Sequence, residues 1–257
     1  QVLNTIRWLD RDRVEPYLFL LDGTDEESQS LIPADCPTLA LGVTSFLSVG
    51  AMKKALEVYR FLKRNRSDAV QTYFPDTRYF MAPPAKAAGC RLFGSRRNLG
   101  TEASLRHKLM LRLYRKLFVD AVFSNCEPAK ESVVRQEGGS PDRVHVIRNG
   151  IDVSRFAAVP TWSPPRASRR LRVGMLGNLR RVKGADLFLH AAALLRDRDP
   201  SRFSFVVGGG GNPGPSEALI EELGIRDEVE LLGPVSDVPA MLETLDIAVL
   251  PSRSEAL

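Results

Sequence analysis

Hydrophobic and polar positions along this chain predict short buried strands separated by amphipathic helices. Apolar runs that are typical of buried strands recur at 16–22, 38–42, 69–74, 91–95, 120–124 and 144–148. Helical patterns lie between them, over 1–10, 47–64, 102–118 and 127–137. A further helix over 77–89 is expected to be broken by Pro83 and Pro84. Strands that alternate with helices of this length indicate βαβ units and parallel sheets.

The alternation stops once and then begins again. Residues 157–170, AAVPTWSPPRASRR, contain three prolines and no periodicity, which indicates a linker. After this linker, strands are predicted at 171–176, 203–207, 229–232 and 246–250, with helices at 185–197, 216–223 and 237–244. We therefore predict an α/β protein with two Rossmann-like domains, over 1–156 and 171–257. Ligands of such sheets bind beyond the carboxyl ends of the strands, so the residues that follow each strand are the candidates for chemistry.

Composition places the 257-residue chain among ordinary globular proteins, with 44% hydrophobic and 26% charged residues. Cys36, Cys90 and Cys126 are far apart, and the three histidines are scattered. The sequence therefore predicts neither a disulfide framework nor a local metal site, and a cytoplasmic location fits best. The longest uncharged stretch, 36–52, is diluted by polar residues and glycines, and is interpreted as a buried strand and loop.

Positive charge is concentrated in the first part of the chain. Residues 1–168 hold 25 Lys and Arg against 18 Asp and Glu, whereas residues 169–257 hold 11 against 13. This excess indicates an anionic partner, which could be a membrane surface, a phosphate-bearing substrate or nucleic acid. The helix at 102–118 has five cations around one apolar face, formed by Leu105, Leu109, Leu113 and Leu117. Two interpretations remain open: a surface helix that packs on its domain, or an interfacial helix that meets anionic lipid.

The loop after the strand at 171–176 is the first candidate site. It contains Gly177, Asn178, Arg180, Arg181 and Lys183, and a helix begins directly after it. Backbone N–H groups at a helix N-terminus favour an anion, and the three cations suit a diphosphate. The alternative is a solvated surface loop. The sequence lacks the Gly-x4-Gly-Lys-Ser/Thr pattern of a P-loop.

Three further segments follow predicted strands. The glycine run that contains Gly208 and Gly210 permits either close approach of a ligand or only a tight turn. Glu255 could accept hydrogen bonds from sugar hydroxyls or cap a helix. The segment Arg96-Arg97-Asn98 could hold an anionic acceptor or serve as surface charge.

Four segments of the chain, in their order and spacing, resemble segments of glycosyltransferase family 4. They are VHVIRNGIDVSRF, LGNLRRVKGADLFLHAAALL, FSFVVGGGG and VELLGPVSDVPAMLETLDIAVLPSRSEAL. The resemblance is strong over residues 120–257. Residues 1–119 are similar to the family more loosely, through strand order and the SRRN segment.

This resemblance implies a GT-B fold, in which two Rossmann-like domains with parallel sheets face each other across a cleft. It implies a retaining glycosyltransferase that moves a sugar from a nucleotide-diphosphate sugar to a glycan or lipid-linked acceptor, without a metal or other cofactor. The expected role is polysaccharide or glycolipid assembly in a bacterium, in the cytoplasm, with peripheral membrane contact through residues 102–118 and no nucleic-acid partner. Two alternatives are a nucleotide-sugar epimerase of the same fold and a non-enzymatic basic module that binds membrane or nucleic acid.

Residue roles follow from the same resemblance. Lys183 corresponds to the lysine on the donor diphosphate, and Glu255 to the first glutamate of the family's E-x7-E motif, which contacts the donor sugar. Ala256 and Leu257 correspond to the segment whose backbone amides approach the sugar and phosphate. Gly208 and Gly210 correspond to the turn beneath the nucleotide, and Pro234 and Val235 to the loop beside the base. The acceptor side corresponds to Arg96, Arg97 and Asn98.

The chain also departs from the family pattern. Asn178 stands where the family usually has an arginine, and Arg180 or Arg181 is expected to supply that charge. The second glutamate of E-x7-E would fall after Leu257, and the first strand and the glycine-rich loop of the first domain have no counterpart. We therefore expect both domains to be incomplete in an internal fragment of a longer protein, which would be inactive on its own.

Overall fold

Parallel strand pairing organises the computed structural model of this chain, which describes residues 2–21, 29–43, 45, 48–97, 105–156 and 170–255. The chain divides into two compact units, Gln1–Gly150 and Ile151–Glu255. Each unit contains parallel strands alternating with helices, as the hydrophobic pattern predicts. The predicted linker at 157–170 lies outside the described residues except for Arg170.

The first unit contains two parallel sheets. Its strands are β1 (Leu18–Leu20), β2 (Thr38–Ala40), β3 (Ala69–Thr72), β4 (Arg91–Arg96), β5 (Ala121–Ser124) and β6 (Val144–Val146). Its helices are α1 (Val2–Arg7), α2 (Val49–Arg64), α3 (Pro75–Ala88), α4 (Leu105–Phe118) and α5 (Glu127–Glu137). Strands β1 and β2 pair with each other, and the second sheet has the order β3-β4-β5-β6. Since β4 ends at Arg96, that residue is the last of its strand rather than part of the loop after it.

The core of the first unit forms where one face of each of the helices α2 to α5 meets the main sheet. Val58 of α2, Leu92 of β4 and Val133 of α5 are fully buried. Alternate residues of β3 are exposed and buried, so this strand has one face on the core. Burial of large aliphatic side chains, each worth about 1.5–3 kcal/mol, is the main source of stability for such a unit.

Helix α3 continues through Pro83 and Pro84, so the predicted break at these prolines is wrong. A proline inside a helix removes one backbone hydrogen bond and costs about 3 kcal/mol in isolation. Here the helix is held by its contacts, because Met81, Ala82 and Ala85 are buried in the core. Tertiary packing therefore overrides the local preference.

The face that α4 buries is different from the one the leucine spacing predicts. Leu109, Leu113 and Leu117 are 67%, 58% and 59% exposed, whereas Leu111 and Tyr114 are buried. Of the two interpretations that the sequence left open, the exposure of these three residues disagrees with a leucine stripe that packs on its domain. The first part of the predicted helix, 102–104, lies outside the described residues.

The second unit is one parallel sheet with helices between its strands. The strands are β7 (Leu171–Leu176), β8 (Phe203–Gly208), β9 (Val229–Gly233) and β10 (Ile247–Val249), in the order β10-β7-β8-β9. The helices are α6 (Ala185–Arg198), α7 (Gly214–Leu223) and α8 (Val238–Glu243). Met175 of β7, Val207 of β8 and Leu189 of α6 are at most 2% exposed and anchor its core.

Truncation of a core leucine tests this assignment of faces. We expect Leu92→Ala to lower the free energy of unfolding by about 2–5 kcal/mol, because it removes a fully buried side chain and leaves a cavity. Leu113→Ala is the matched control, and we expect it to change stability by no more than about 0.5 kcal/mol. Urea denaturation measures both values. A larger effect at Leu113 than at Leu92 would contradict the structure.

Candidate functional site

The carboxyl ends of β7, β8, β9 and β10 lie at the same edge of the second sheet, because all four strands are parallel. The loops after these strands carry the predicted donor-side residues. Those within the described part of the chain are Gly177, Asn178, Arg180, Arg181, Lys183, Gly208, Gly210, Pro234, Val235 and Glu255. Ala256 and Leu257 lie outside the described residues.

The loops after β7 and β8 continue the pairing of their strands. The Gly177 N–H donates to the Gly208 carbonyl at 2.9 Å, and the Leu179 N–H donates to the Gly210 carbonyl at 2.9 Å. Gly209 has φ +153°, and a Cβ atom there would lie 1.9 Å from the carbonyl oxygen of Gly177. Only glycine fits such a position. Part of the glycine run therefore has a structural cause, and the binding roles of Gly208 and Gly210 stay predictions.

The loop after β9 contacts the same glycine run. The Gly209 N–H donates to the Gly233 carbonyl at 2.8 Å. A Cβ atom on Gly208 would lie 2.8 Å from a methyl carbon of Val235, and one on Gly210 would lie 3.8 Å from a ring carbon of Pro234. The structure thus places Val235 directly beside Gly208 and Pro234 directly beside Gly210.

Lys183 and Glu255 form an ion pair between the loops after β7 and β10. The Lys183 Nζ donates to the Glu255 Oε1 at 2.6 Å, and their side chains are 31% and 26% exposed. The hydrogen bond from Lys183 holds the pKa of Glu255 below its ordinary value. Lys183 ends a short 3₁₀ helix, Arg181–Lys183, directly before the N-terminus of α6. A cation and a carboxylate therefore meet at one helix N-terminus.

Sequence reasoning missed the contacts that hold these two loops together. Gly184, with φ +74°, approaches the carbonyl oxygen of Pro251 so closely that a Cβ would lie 2.1 Å from it. Arg253 donates its backbone N–H to the Val182 carbonyl at 2.8 Å and its Nη1 to the Arg181 carbonyl at 2.8 Å. These contacts fix the loop after β10 against the segment that carries Lys183.

The guanidinium of Arg253 also binds Asp186, in the first turn of α6, through two hydrogen bonds of 2.7 and 2.6 Å. A bidentate pair of this kind is geometrically specific as well as charge-assisted. The hydrogen bonds from Arg253 lower the pKa of Asp186. An acidic residue in the first turn of a helix was the available signal, but its partner is 67 residues away in sequence.

Asn178, which stands where the family usually has an arginine, and the two arginines that were expected to replace that charge are all exposed. Asn178, Arg180 and Arg181 all have exposed side chains at the edge of the sheet. The Arg180 N–H donates to the Asn178 carbonyl at 2.7 Å, which forms a tight turn. Which of the two arginines supplies the charge that Asn178 lacks stays a prediction.

In the first unit, the residues predicted on the acceptor side have different surroundings. Arg97 donates to the Asn149 Oδ1 at 2.7 Å, and its guanidinium lies 5.5 Å from the ring centroid of Tyr73. Arg96 instead has a buried partner, since its Nη1 lies 2.9 Å from the Oε1 of Glu137. Asn98 lies outside the described residues.

The Glu137 carboxylate lies within ion-pair distance of three arginines from different elements. Arg96 of β4 contacts one carboxylate oxygen, and Arg115 of α4 contacts the other. Arg78 of α3 lies 3.7 Å from the same oxygen as Arg115. Burial lowers the pKa of both Arg96 and Arg115. Sequence reasoning missed this cluster, because its members are scattered over 60 positions.

The described residues lack two features, a metal-binding group and a membrane-spanning helix. No group of three or more His, Cys, Asp or Glu side chains among them could hold a metal ion. None of the helices in those ranges has the length and apolar character needed to span a membrane.

Two family models together match nearly the whole chain. The model described as Glycosyltransferase Family 4 matches residues 1–155, and the model described as Glycosyl transferases group 1 matches residues 162–257. Among curated proteins, a D-inositol 3-phosphate glycosyltransferase of Corynebacterium glutamicum is 28% identical over 152 residues. D-inositol 3-phosphate glycosyltransferase 2 of Catenulispora acidiphila is 34% identical over 155 residues. Each match covers 53% of this chain and 36% of the relative's length.

Solved structures show the same fold at low identity. The Anabaena protein HepE, crystallised with UDP and glucose, has a TM-score of 0.73 and 17% identity, and the match covers 95% of this chain and 76% of HepE. WaaG, described as a glycosyltransferase of lipopolysaccharide biosynthesis, has a TM-score of 0.63 and 16% identity, with 99% and 70% coverage. These likenesses confirm the expected GT-B fold.

The pair of Asp186 and Arg253 gives this site a defined pH dependence. Because the folded pKa of Asp186 is lowered, its contribution to stability is present above the ordinary value of 3.8 and is lost as the pH falls through the folded pKa. We expect Asp186→Asn to be less stable than wild type at pH 7, and the difference to shrink below about pH 4. Urea denaturation at a series of pH values measures this difference.

The matched control is Asp197→Asn on the same helix, whose carboxylate is 66% exposed beside Arg196. We expect it to change stability little at any pH. A difference between wild type and Asp186→Asn that stays constant from pH 7 to pH 3 would contradict the proposed role of the pair.

Proposed function

Since this chain belongs to glycosyltransferase family 4, we propose that it is part of an enzyme that moves a sugar from a nucleotide-diphosphate sugar to an acceptor, with retention of configuration. The observation that carries this proposal is the ion pair of Lys183 and Glu255 at the loop edge of the second sheet. The crystal structure of HepE with UDP and glucose supports a nucleotide sugar as the donor.

The donor diphosphate would bind at the N-terminus of α6. Lys183 supplies a full charge there, and Arg180 and Arg181 are exposed three and two residues before it. The helix dipole and the first backbone N–H groups favour the same anion. The glycine run at 208–211 has no side chains that would block the nucleotide, and Pro234 and Val235 beside it would contact the base.

The chemistry needs charge stabilisation on one side of the breaking bond. As the glycosidic bond lengthens, negative charge develops on the leaving diphosphate, and a fixed cation stabilises it more than it stabilises the ground state. Lys183 is the group we assign to this role. The cations of this loop supply the positive charge, so the proposal requires no metal ion.

Glu255 has two tasks in this proposal. Its carboxylate would accept hydrogen bonds from hydroxyl groups of the donor sugar, while its ion pair with Lys183 holds the lysine in place before the donor binds. Ala256 and Leu257, which follow it directly, would offer backbone amides to the sugar and phosphate. Arg253 is a positioning residue, since it fixes the loop that carries Glu255.

The acceptor would bind through the first unit. Arg97 is half-buried at the carboxyl edge of the sheet, between Tyr73 and Asn149, and carries a charge suited to an anionic acceptor. Asn98 follows it in sequence, and Arg96 precedes it with its charge committed to Glu137. We propose that the acceptor is a glycan or lipid-linked molecule of cell-surface polysaccharide or glycolipid assembly in a bacterial cytoplasm.

We further propose that α4 contacts an anionic membrane where that acceptor is held. Its exposed face combines Leu109, Leu113 and Leu117 with the cations Lys108, Arg112 and Lys116. An apolar stripe bordered by cations is the composition of an interfacial helix. Arg115 does not belong to this surface, because it contacts Glu137 in the interior.

Removal of one cation tests the donor site. We expect Lys183→Ala to weaken the binding of UDP by about 1–3 kcal/mol, the range for a hydrogen bond to a charged group. The matched control is Arg226→Ala, which removes an exposed cation of the same unit. Isothermal titration calorimetry measures both dissociation constants. Equal dissociation constants for wild type and Lys183→Ala would overturn the assignment.

A separate measurement distinguishes sugar transfer from epimerisation. In the longer enzyme of which this chain is proposed to be part, transfer releases free UDP during turnover and epimerisation does not.

Liposome sedimentation tests the membrane surface. We expect the triple variant Lys108/Arg112/Lys116→Gln to bind vesicles that contain phosphatidylglycerol more weakly, since each cation near an anionic surface is worth about 1 kcal/mol. Neutral phosphatidylcholine vesicles are the control, and neither protein should sediment with them. Equal sedimentation of wild type and variant with anionic vesicles would reject this surface.

A further inference from the structure

The cluster of Arg78, Arg96, Arg115 and Glu137 carries an excess of buried positive charge. The arginine side chains are 9%, 14% and 12% exposed, and that of Glu137 is 3% exposed. Among the described residues, Glu137 is the only acidic group whose negative charge stabilises the charged forms of Arg96 and Arg115. Three guanidinium groups and one carboxylate therefore leave two positive charges without a counterion among the residues that the structure describes.

The hydrogen bonds of the cluster are also incomplete. Among the described residues, the buried Arg96 Nε and the buried Arg115 Nε and Nη1 have no hydrogen-bond partner. Ser124 adds a fourth such group, because its Oγ is buried without a partner. Ser124 is the register partner of Arg96 across β4 and β5, so both side chains lie on the same face of the sheet. Four unsatisfied polar atoms are thus concentrated on one side of one sheet.

Such an arrangement is costly if nothing completes it. A buried charge without a counterion destabilises the folded state, and each buried donor without an acceptor destabilises it further. The lowered pKa values of Arg96 and Arg115 have the same cause, which is desolvation that one carboxylate does not offset. An oxyanion would remove both costs, since its oxygens accept from several N–H groups and its charge balances the excess.

We propose that this arginine cluster binds a phosphate group. A phosphate dianion matches the two excess charges, and its tetrahedral oxygens accept from the unpaired donors of Arg96 and Arg115, while Arg78 adds a third positive charge. The source would be free inorganic phosphate or the phosphate of a phosphomonoester acceptor. Only the second source rests on the function proposed above.

Thermal unfolding of the 257-residue chain tests this proposal. Sodium phosphate is compared with sodium chloride of equal ionic strength, and we expect a saturable rise of the Tm in phosphate alone, because a ligand that binds only the folded state stabilises it. Arg78→Met is the informative variant, since Glu137 keeps its closer contacts with Arg96 and Arg115. We expect it to weaken phosphate binding about tenfold or more, because it removes one of the positive charges around the anion.

The same variant separates a ligand site from a structural ion network. If phosphate is the missing counterion, Arg78→Met in chloride unfolds at the wild-type Tm or above, because an excess buried cation has been removed. A lower Tm in chloride together with an unchanged response to phosphate would overturn the proposal. Absence of any phosphate-specific response in wild type would overturn it as well.

Two controls identify the site and the source. Arg135→Met removes an exposed arginine of α5 that pairs with Glu131, outside the cluster, and we expect it to keep the full phosphate response. Glu137→Gln raises the excess charge, and we expect it to lower the Tm in chloride but to bind phosphate more tightly. A response to glycerol 3-phosphate equal to that for phosphate supports an acceptor phosphomonoester, and a response to inorganic phosphate alone supports a free ion.

This experiment is independent of the donor site. Binding of UDP is measured on Arg78→Met and should equal that of wild type, because the donor residues that the structure describes, from Gly177 to Glu255, belong to the second unit. If wild type fails to bind UDP but its phosphate response depends on Arg78, the proposed function fails and the phosphate site stands. If UDP binding depends on Lys183 but the Tm shows no phosphate-specific rise, the phosphate site fails and the proposed function stands.

Discussion

The close approach of the loops after β7 and β10 is the constraint on which the candidate site depends. Parallel pairing places both loops at one edge of the sheet, but it does not fix their side chains. The missing side chain at Gly184 lets the chain reach the Pro251 carbonyl, and Arg253 then binds the backbone of residues 181 and 182. With both backbones fixed, Lys183 and Glu255 meet at 2.6 Å. The charges are thus preorganised, which is the condition under which fixed charges assist a reaction most.

The spacing of hydrophobic and polar residues was sufficient to predict most helices and strands of this fold. The strand at 171–176 and the helix at 127–137 have the predicted bounds, since their apolar spacing matches their burial. Pattern failed where packing decides. The prolines of α3 do not end the helix, and the leucine stripe of α4 faces outward because Leu111 and Tyr114 contact the core instead. Spacing predicts which residues share a face, but not which face the rest of the chain covers.

The candidate site shows the same division. Loops after strands could be identified from sequence, because strand order and parallel pairing bring their ends together. The partner of Asp186 could not, since Arg253 is 67 positions away and nothing in its neighbourhood marks it. The arginines around Glu137 come from three elements, and each of them in sequence is only one cation among the 36 Lys and Arg of the chain. Long-range ion pairs leave no periodic signal, so only the fold reveals them.

The buried cluster also changes what the net charge of the chain means. The excess of Lys and Arg over residues 1–168 suggests a strongly basic surface. Arg78, Arg96 and Arg115 contribute to that excess, yet they are about nine-tenths buried and add little to the field outside. Exposed cations such as Arg112 and Lys116 on α4 supply the surface charge. An anion attracted by the surface and an anion held in the interior would therefore depend on different arginines, and only the first kind of binding should weaken steeply with added salt, because screening acts mainly on exposed charges.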